Sequence, residues 1–227
     1  MTNERILFMK KLFGSSSALF KFMTVLWELA EIGILFLVGS LPIVTIGAAY
    51  TAMQGSLYDM QVHGEGCFTA RQFWNLYKKS LKPMVPLWCL GALGMAGLAA
   101  NAGFVLSNMQ GTGRLVLVGF YFVMFLLIFG TMQYTGFLVA RAGAWKGIYL
   151  KNGFLMALAK FPSVIVCAVL TGSVLSVLLL TGAWVLRLLP LIVLFWFSCP
   201  AYVCAGILAK RLEPFFPELF EDELREE

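Results

Sequence analysis

Ile43-Val44-Thr45-Ile46-Gly47-Ala48-Ala49-Tyr50-Thr51-Ala52-Met53-Gln54-Gly55-Ser56-Leu57-Tyr58-Asp59-Met60-Gln61-Val62 is the stretch on which the fold turns. It is long enough to cross a bilayer, since a spanning helix needs about 20 mostly apolar residues. Yet it carries Thr45, Thr51, Gln54, Ser56 and Asp59, and hydropathy alone makes it an interfacial amphipathic helix. The basic residues decide between these readings. Arg5, Lys10, Lys11 and Lys21 precede or enter the first apolar run, and Arg71, Lys78, Lys79 and Lys82 follow this segment. Arg141, Lys146, Lys151 and Lys160 form a third cluster, and Lys210, Arg211 and Arg225 a fourth. Only Arg114 and Arg187 lie elsewhere. Short loops rich in Lys and Arg stay on the cytoplasmic side. All four clusters share that side only if an even number of crossings separates each from the next. Segment 43–62 is therefore read as a span, or as a hairpin partner of the first helix packed away from lipid.

Five further runs qualify more readily, at 19–39, 83–106, 115–140, 162–183 and 188–209. The expectation is an all-α polytopic transmembrane bundle over residues 1–212, with six crossings (five the alternative) and both termini cytoplasmic. Residues 213–227 form an acidic cytoplasmic tail. Composition agrees: 60% of the 227 residues are apolar and 13% charged, mean hydropathy is +0.84, and soluble domains carry about 25% charged residues. The net charge of +5 conceals a split. Seven of the twelve acids lie from Glu213 onward, against Arg225, so the tail is strongly negative and the body strongly positive. Basic residues that flank spans suit anionic lipid headgroups, and no free basic segment remains to bind nucleic acid.

Prolines mark the boundaries. Pro83, Pro162 and Pro190 are placed at or near span starts, where a missing N–H costs nothing, and Pro42 at the first turn. Pro200, in mid-span, removes a backbone hydrogen bond and kinks the last helix; a gating hinge is the sharper alternative. Ala92, Ala96 and Ala100 form a small-residue stripe that permits close helix approach in lipid, within the bundle or in a homo-oligomer. A faint repeat is also visible. Met53-Gln54, Gly64 and Pro83 match Met132-Gln133, Gly143 and Pro162 at a constant offset of 79. Each unit reads as a span in, a basic segment and a span out, a duplication of the kind transporters carry.

Glu28 and Glu31, three residues apart, share one face in mid-span, where an ionised acid costs about 3 kcal/mol on insertion scales. Their candidate polar partners include Gln54, Asp59 and Gln133. The functional reading is a proton- or cation-linked site; the structural one is a polar contact between helices. The five cysteines form no C-x-x-C pair and there is one histidine, His63, so core packing is the default for the cysteines. No catalytic, cofactor-binding or metal-ligating residue is nominated, and no enzyme is expected.

Gly39-Ser40-Leu41-Pro42-Ile43-Val44-Thr45-Ile46-Gly47-Ala48, with Phe73-Trp74-Asn75-Leu76-Tyr77-Lys78-Lys79-Ser80-Leu81-Lys82, resembles the YesL-like family of bacterial multi-pass membrane proteins. That family shows S-L-P-I-V-T-I-G at the end of its first span and F-F-x-x-F-K-x-N-F-K in a cytoplasmic segment. Phe73, Lys78 and Lys82 match the second motif directly; Ser80 replaces its usual Asn. The family has no settled activity and no established catalytic residues. The resemblance implies a bacterial cytoplasmic-membrane protein that accompanies carbohydrate uptake systems, with transporter subunits and lipids as partners. The runner-up is a small secondary transporter using the intramembrane acids.

Each motif also has a physical reading. Ser40, Leu41 and Pro42 end the first span, Thr45 is expected to cap the next helix by accepting its orphan N–H groups, and Gly47 to let the first two helices approach. Phe73, Trp74 and Tyr77 recur at near-helical spacing beside Lys78, Lys79 and Lys82. Such a face suits the headgroup layer or a partner protein.

Overall fold

The computed structural model describes residues 18–64, 68–142, 146–180 and 198–216, and these residues are helical with short turns. The helices are α1 (Ala18–Gly39), α2 (Ile46–His63), α3 (Ala70–Asn108), α4 (Thr112–Ala142), α5 (Ile148–Ala159) and α6 (Phe161–Leu180). A helical stretch at 198–212, α7, follows. Among the described residues α3 and α4 are long and apolar enough to cross a membrane, and α5 with α6 qualifies as one bent span. These helices mark a membrane protein.

The decisive segment is the centre of the bundle. Gly47–Ala49, every residue from Thr51 to Tyr58, and Met60 are buried. A helix that apolar residues alone would not bury is thus surrounded by protein, which makes its polar residues tolerable. α1 packs against it through Leu29, Ile32 and Phe36, turned inward at helical spacing. α7 turns Ala201, Cys204, Ala205, Leu208 and Leu212 inward. Its Tyr202 carbonyl accepts a 2.6 Å bond from Gln61 Nε2 on α2.

α3 differs from expectation. Residues 70–108 form one helix running through Pro83 and Pro86, so Pro83 does not begin a helix. Thirty-nine residues extend about 58 Å, nearly twice the hydrocarbon thickness, so part of the helix must leave the bilayer. α2 lies beside the first part of α3. A methyl group built on Gly47 would come within 2.7 Å of Trp88 Cβ, one on Gly55 within 3.2 Å of Leu76, and Asp59 is bonded to Gln72. Beyond Trp88, α3 continues to Asn108, about 30 Å further, beside the first half of α4. Gly91 packs against Met132 and Gly94 against Ile128. Segments 43–62 and 83–106 are therefore staggered along α3 rather than level with each other.

The third basic stretch also forms a helix. α5 returns along α4, with Gly153 against the Thr131 carbonyl and Thr135, and Ala157 beside Gly130. At Lys160 the chain bends by 95° into α6, and Pro162 falls in the first turn of α6 as expected. The first part of the expected last span, 188–197, the N-terminal basic residues through Lys11 and the tail beyond Phe216 lie outside the described residues. Pro200 is helical, within the described part of α7.

Candidate functional site

The five polar residues nominated from sequence fall into separate contacts. Gln54 and Gln133 meet: Gln54 Nε2 donates to Gln133 Oε1 at 2.6 Å, and Gln133 Nε2 donates to Tyr50 Oη at 3.1 Å. Gln54 is fully buried, and Gln133 nearly so. Helix geometry explains the meeting. Tyr50, Gln54 and Tyr58 recur every four residues on one face of α2, opposite Gln133 and Phe137 of α4. Tyr58 and Phe137 rings pack edge to face with centroids 5.4 Å apart. Gly136 lets α4 approach, because a Cβ there would sit 2.9 Å from Thr51 Oγ1.

Asp59 is not part of that pair. Its Oδ1 accepts from Arg141 Nη1 at 2.9 Å and its Oδ2 from Gln72 Nε2 at 2.9 Å. The Arg141 guanidinium lies 4.7 Å from the Tyr58 ring centroid, a cation–π distance. One carboxylate thereby ties α2, α3 and α4 together. With exposures of 14% for Arg141 and 21% for Asp59, the pair is shielded enough to be worth more than a surface bridge. Sequence reasoning nominated Asp59 but not Arg141, which reads as one more cytoplasmic cation. The available signal was position: both lie at the same ends of helices that run side by side.

Glu28 is buried on α1, and its Oε1 accepts the Phe68 amide at 3.3 Å, ahead of α3. Glu31 falls off the inward face and is half-buried. The acids and the two glutamines do not converge. Two further polar residues in apolar stretches, Asn101 and Thr131, bond to carbonyls of their own helices, Gly97 and Leu127.

The turn motif works differently from expectation. Thr45 occupies the position before α2, but its hydroxyl makes no cap. It points back to the Gly39 and Pro42 carbonyls at 2.8 and 2.7 Å, sharing its hydrogen between them. The carbonyls that end a helix lack partners, and this hydroxyl supplies one. Tyr77 Oη donates to the same Gly39 carbonyl at 3.2 Å. Gly47 admits Trp88 of α3 rather than the side chains of α1. Ser40 is half-buried, while Leu41, Pro42, Ile43 and Val44 are exposed.

The second motif is built into α3. Phe73 and Tyr77 are buried and stacked at 6.4 Å, and Trp74 meets both rings edge-on. Its apolar face is thus taken up within the chain, leaving Arg71, Asn75, Lys78, Lys79 and Lys82 exposed. Further along, the α3–α4 hairpin carries an open apolar groove of about 240 Å³ between residues such as Leu98, Ala102, Val118 and Phe122. Ala96 and Ala100 of the small stripe are exposed, and a Cβ on Gly97 or Gly103 would meet nothing within 4 Å.

No curated protein and no solved structure matches the chain. Residues 29–102, from mid-α1 through most of α3, match the model of an uncharacterised family described as "Protein of unknown function, DUF624".

Proposed function

We propose that this is a polytopic protein of the bacterial cytoplasmic membrane that acts by contact rather than by catalysis, as an accessory or regulatory component of a carbohydrate uptake complex. The observation that carries the contact reading is where unengaged surface lies. In the core Gln54 and Gln133 bond to each other and Asp59 to Arg141 and Gln72, whereas the basic edge of α3 and the apolar α3–α4 hairpin face outward. A basic edge of four cations suits anionic headgroups or an acidic partner surface. The carbohydrate part rests on the motif resemblance alone.

For topology, both termini and all four basic clusters are assigned to the cytoplasm. That assignment survives the stagger. The α1–α2 hairpin contributes an even number of crossings whether it traverses fully, giving six, or enters part-way and returns, giving four. A cysteine replacing Lys78 should be shielded from impermeant reagents outside intact cells; labelling there ends the scheme. For function, the full chain should co-purify with a sugar permease from its native membrane and show no flux alone in liposomes. Uptake by the purified chain that is lost in Glu28→Gln would instead establish the transporter reading.

A further inference from the structure

The offset of 79 seen in the sequence returns as physical contact. Gln54 and Gln133, separated by 79 positions, are hydrogen-bonded to each other. One turn further, Tyr58 and Phe137 pack ring to ring, and 137 − 58 is again 79. Helices that touch through equivalent residues at i and i+4 run in the same direction, with a two-fold axis passing between them. The hairpins they belong to agree in register. In the first, Gly55 of α2 faces Leu76 of α3; in the second, Thr135 of α4 faces Gly153 of α5. Subtracting 79 from the second pair gives positions 56 and 74, within two residues of the first. The copies diverge at their prolines: α3 continues through Pro83, while the chain bends between α5 and α6 just before Pro162.

We infer that the core is an internal duplication of one helical hairpin, arranged in parallel about a pseudo-two-fold axis between α2 and α4. The seam on that axis, at Gln54, Gln133 and Tyr50, is a binding position for an uncharged, hydroxyl-bearing solute. Repeat-built membrane proteins place their solute sites at the repeat interface. Two carboxamides and a phenol both donate and accept hydrogen bonds, which matches hydroxyl groups. The contacts described at the seam involve no ionised group, so a cation or anion would find no counter-charge there. Asp59 is engaged by Arg141 and Gln72, and Glu28 lies on α1. Gln54 Oε1 is buried without a hydrogen-bond partner among the described residues, leaving an acceptor for an incoming hydroxyl. This inference goes beyond the accessory role and stands whether or not a permease co-purifies.

The test uses the full chain in phospholipid vesicles with its five cysteines replaced by alanine. Gln54→Cys, Gln133→Cys and Leu138→Cys are each exposed to hydroxyethyl methanethiosulfonate, a neutral hydroxyl-bearing reagent, and to its anionic sulfonatoethyl analogue. Leu138, also buried on α4, reports ordinary core opening. The thiols at positions 54 and 133 should both react with the neutral reagent at least about tenfold faster than the one at 138. The anionic reagent should be slower there by a similar factor. Two inert seam thiols, one reactive without the other, or equal rates for both reagents would overturn the inference. Should a glutamine variant fail to fold, Thr51→Cys, near in size and buried beside the seam, is read the same way.

Discussion

α2 and the far half of the α3–α4 hairpin are opposites. α2 carries Thr51, Gln54, Ser56 and Asp59 and is enclosed almost throughout. In α3 the most apolar 18-residue window is 6% buried, and in α4 17%, with Leu90, Leu93, Phe104, Leu115 and Phe122 exposed. In lipid, apolar side chains gain nothing by leaving the solvent, so association rests on close packing and polar contacts. A helix rich in polar residues therefore takes the centre, and these two apolar stretches face outward.

Substitutions at equivalent residue types in the two regions should separate sharply. The largest effect is expected for Gly47→Leu, whose side chain must displace Trp88 at its Cβ, an atom that cannot swing away. Overpacking of this kind costs about 3 kcal/mol or more and should abolish a monodisperse elution profile in mild detergent. Asp59→Ala comes next. It removes the carboxylate from a shielded Arg141, at about 2–3 kcal/mol, below the 3–5 of a fully buried pair. The exchange Asp59→Arg with Arg141→Asp should recover part of the loss in denaturant-induced unfolding. Failure of any recovery would mean that Gln72 or the Tyr58 ring, rather than charge pairing, holds the contact.

Gln54→Met should cost about 1–2 kcal/mol, the upper range for hydrogen bonds between helices in membranes. Gln133→Met should cost less once Gln54 is already changed, because the bond they share is gone and the one to Tyr50 is what remains to lose; fully additive losses would show them to be independent. Smallest of all, Gly97→Ala should be neutral or stabilising by up to about 1 kcal/mol, from helix propensity alone. A Cβ there meets open space. If Gly97→Ala proved as harmful as Gly47→Ala, the hairpin would be packed against something in the native membrane.

Much of this was readable from residues. The first span, expected at 19–39, is helical at Ala18–Gly39, and the expected 115–140 is helical at Thr112–Ala142. Hydropathy locates such helices because lipid-facing surface must be continuous. It does not locate what covers what. Phe73 and Tyr77 were visible as an apolar face, but only the structure shows α2 and Gly39 beside them. Pro83 was read as a boundary because its missing N–H costs nothing at a helix start; inside a long helix flanked by others, the lost bond can also be tolerated. Gln54 and Gln133 were nominated together with two glutamates since all are polar in apolar runs. Periodicity cannot say which helices are neighbours, so the glutamates and the amides were grouped when they belong apart.

The bond from Asp59 to Arg141 spans 82 positions, and that separation sets a schedule for biogenesis. Ribosomes add about 5–20 residues per second, so the nascent carboxylate waits on the order of 4–16 s before its cation exists. During that interval α2 has neither α4 nor its charge partner. A chaperone or the insertion machinery must shelter the segment, and slowed elongation just upstream of codon 141 would lengthen the exposure.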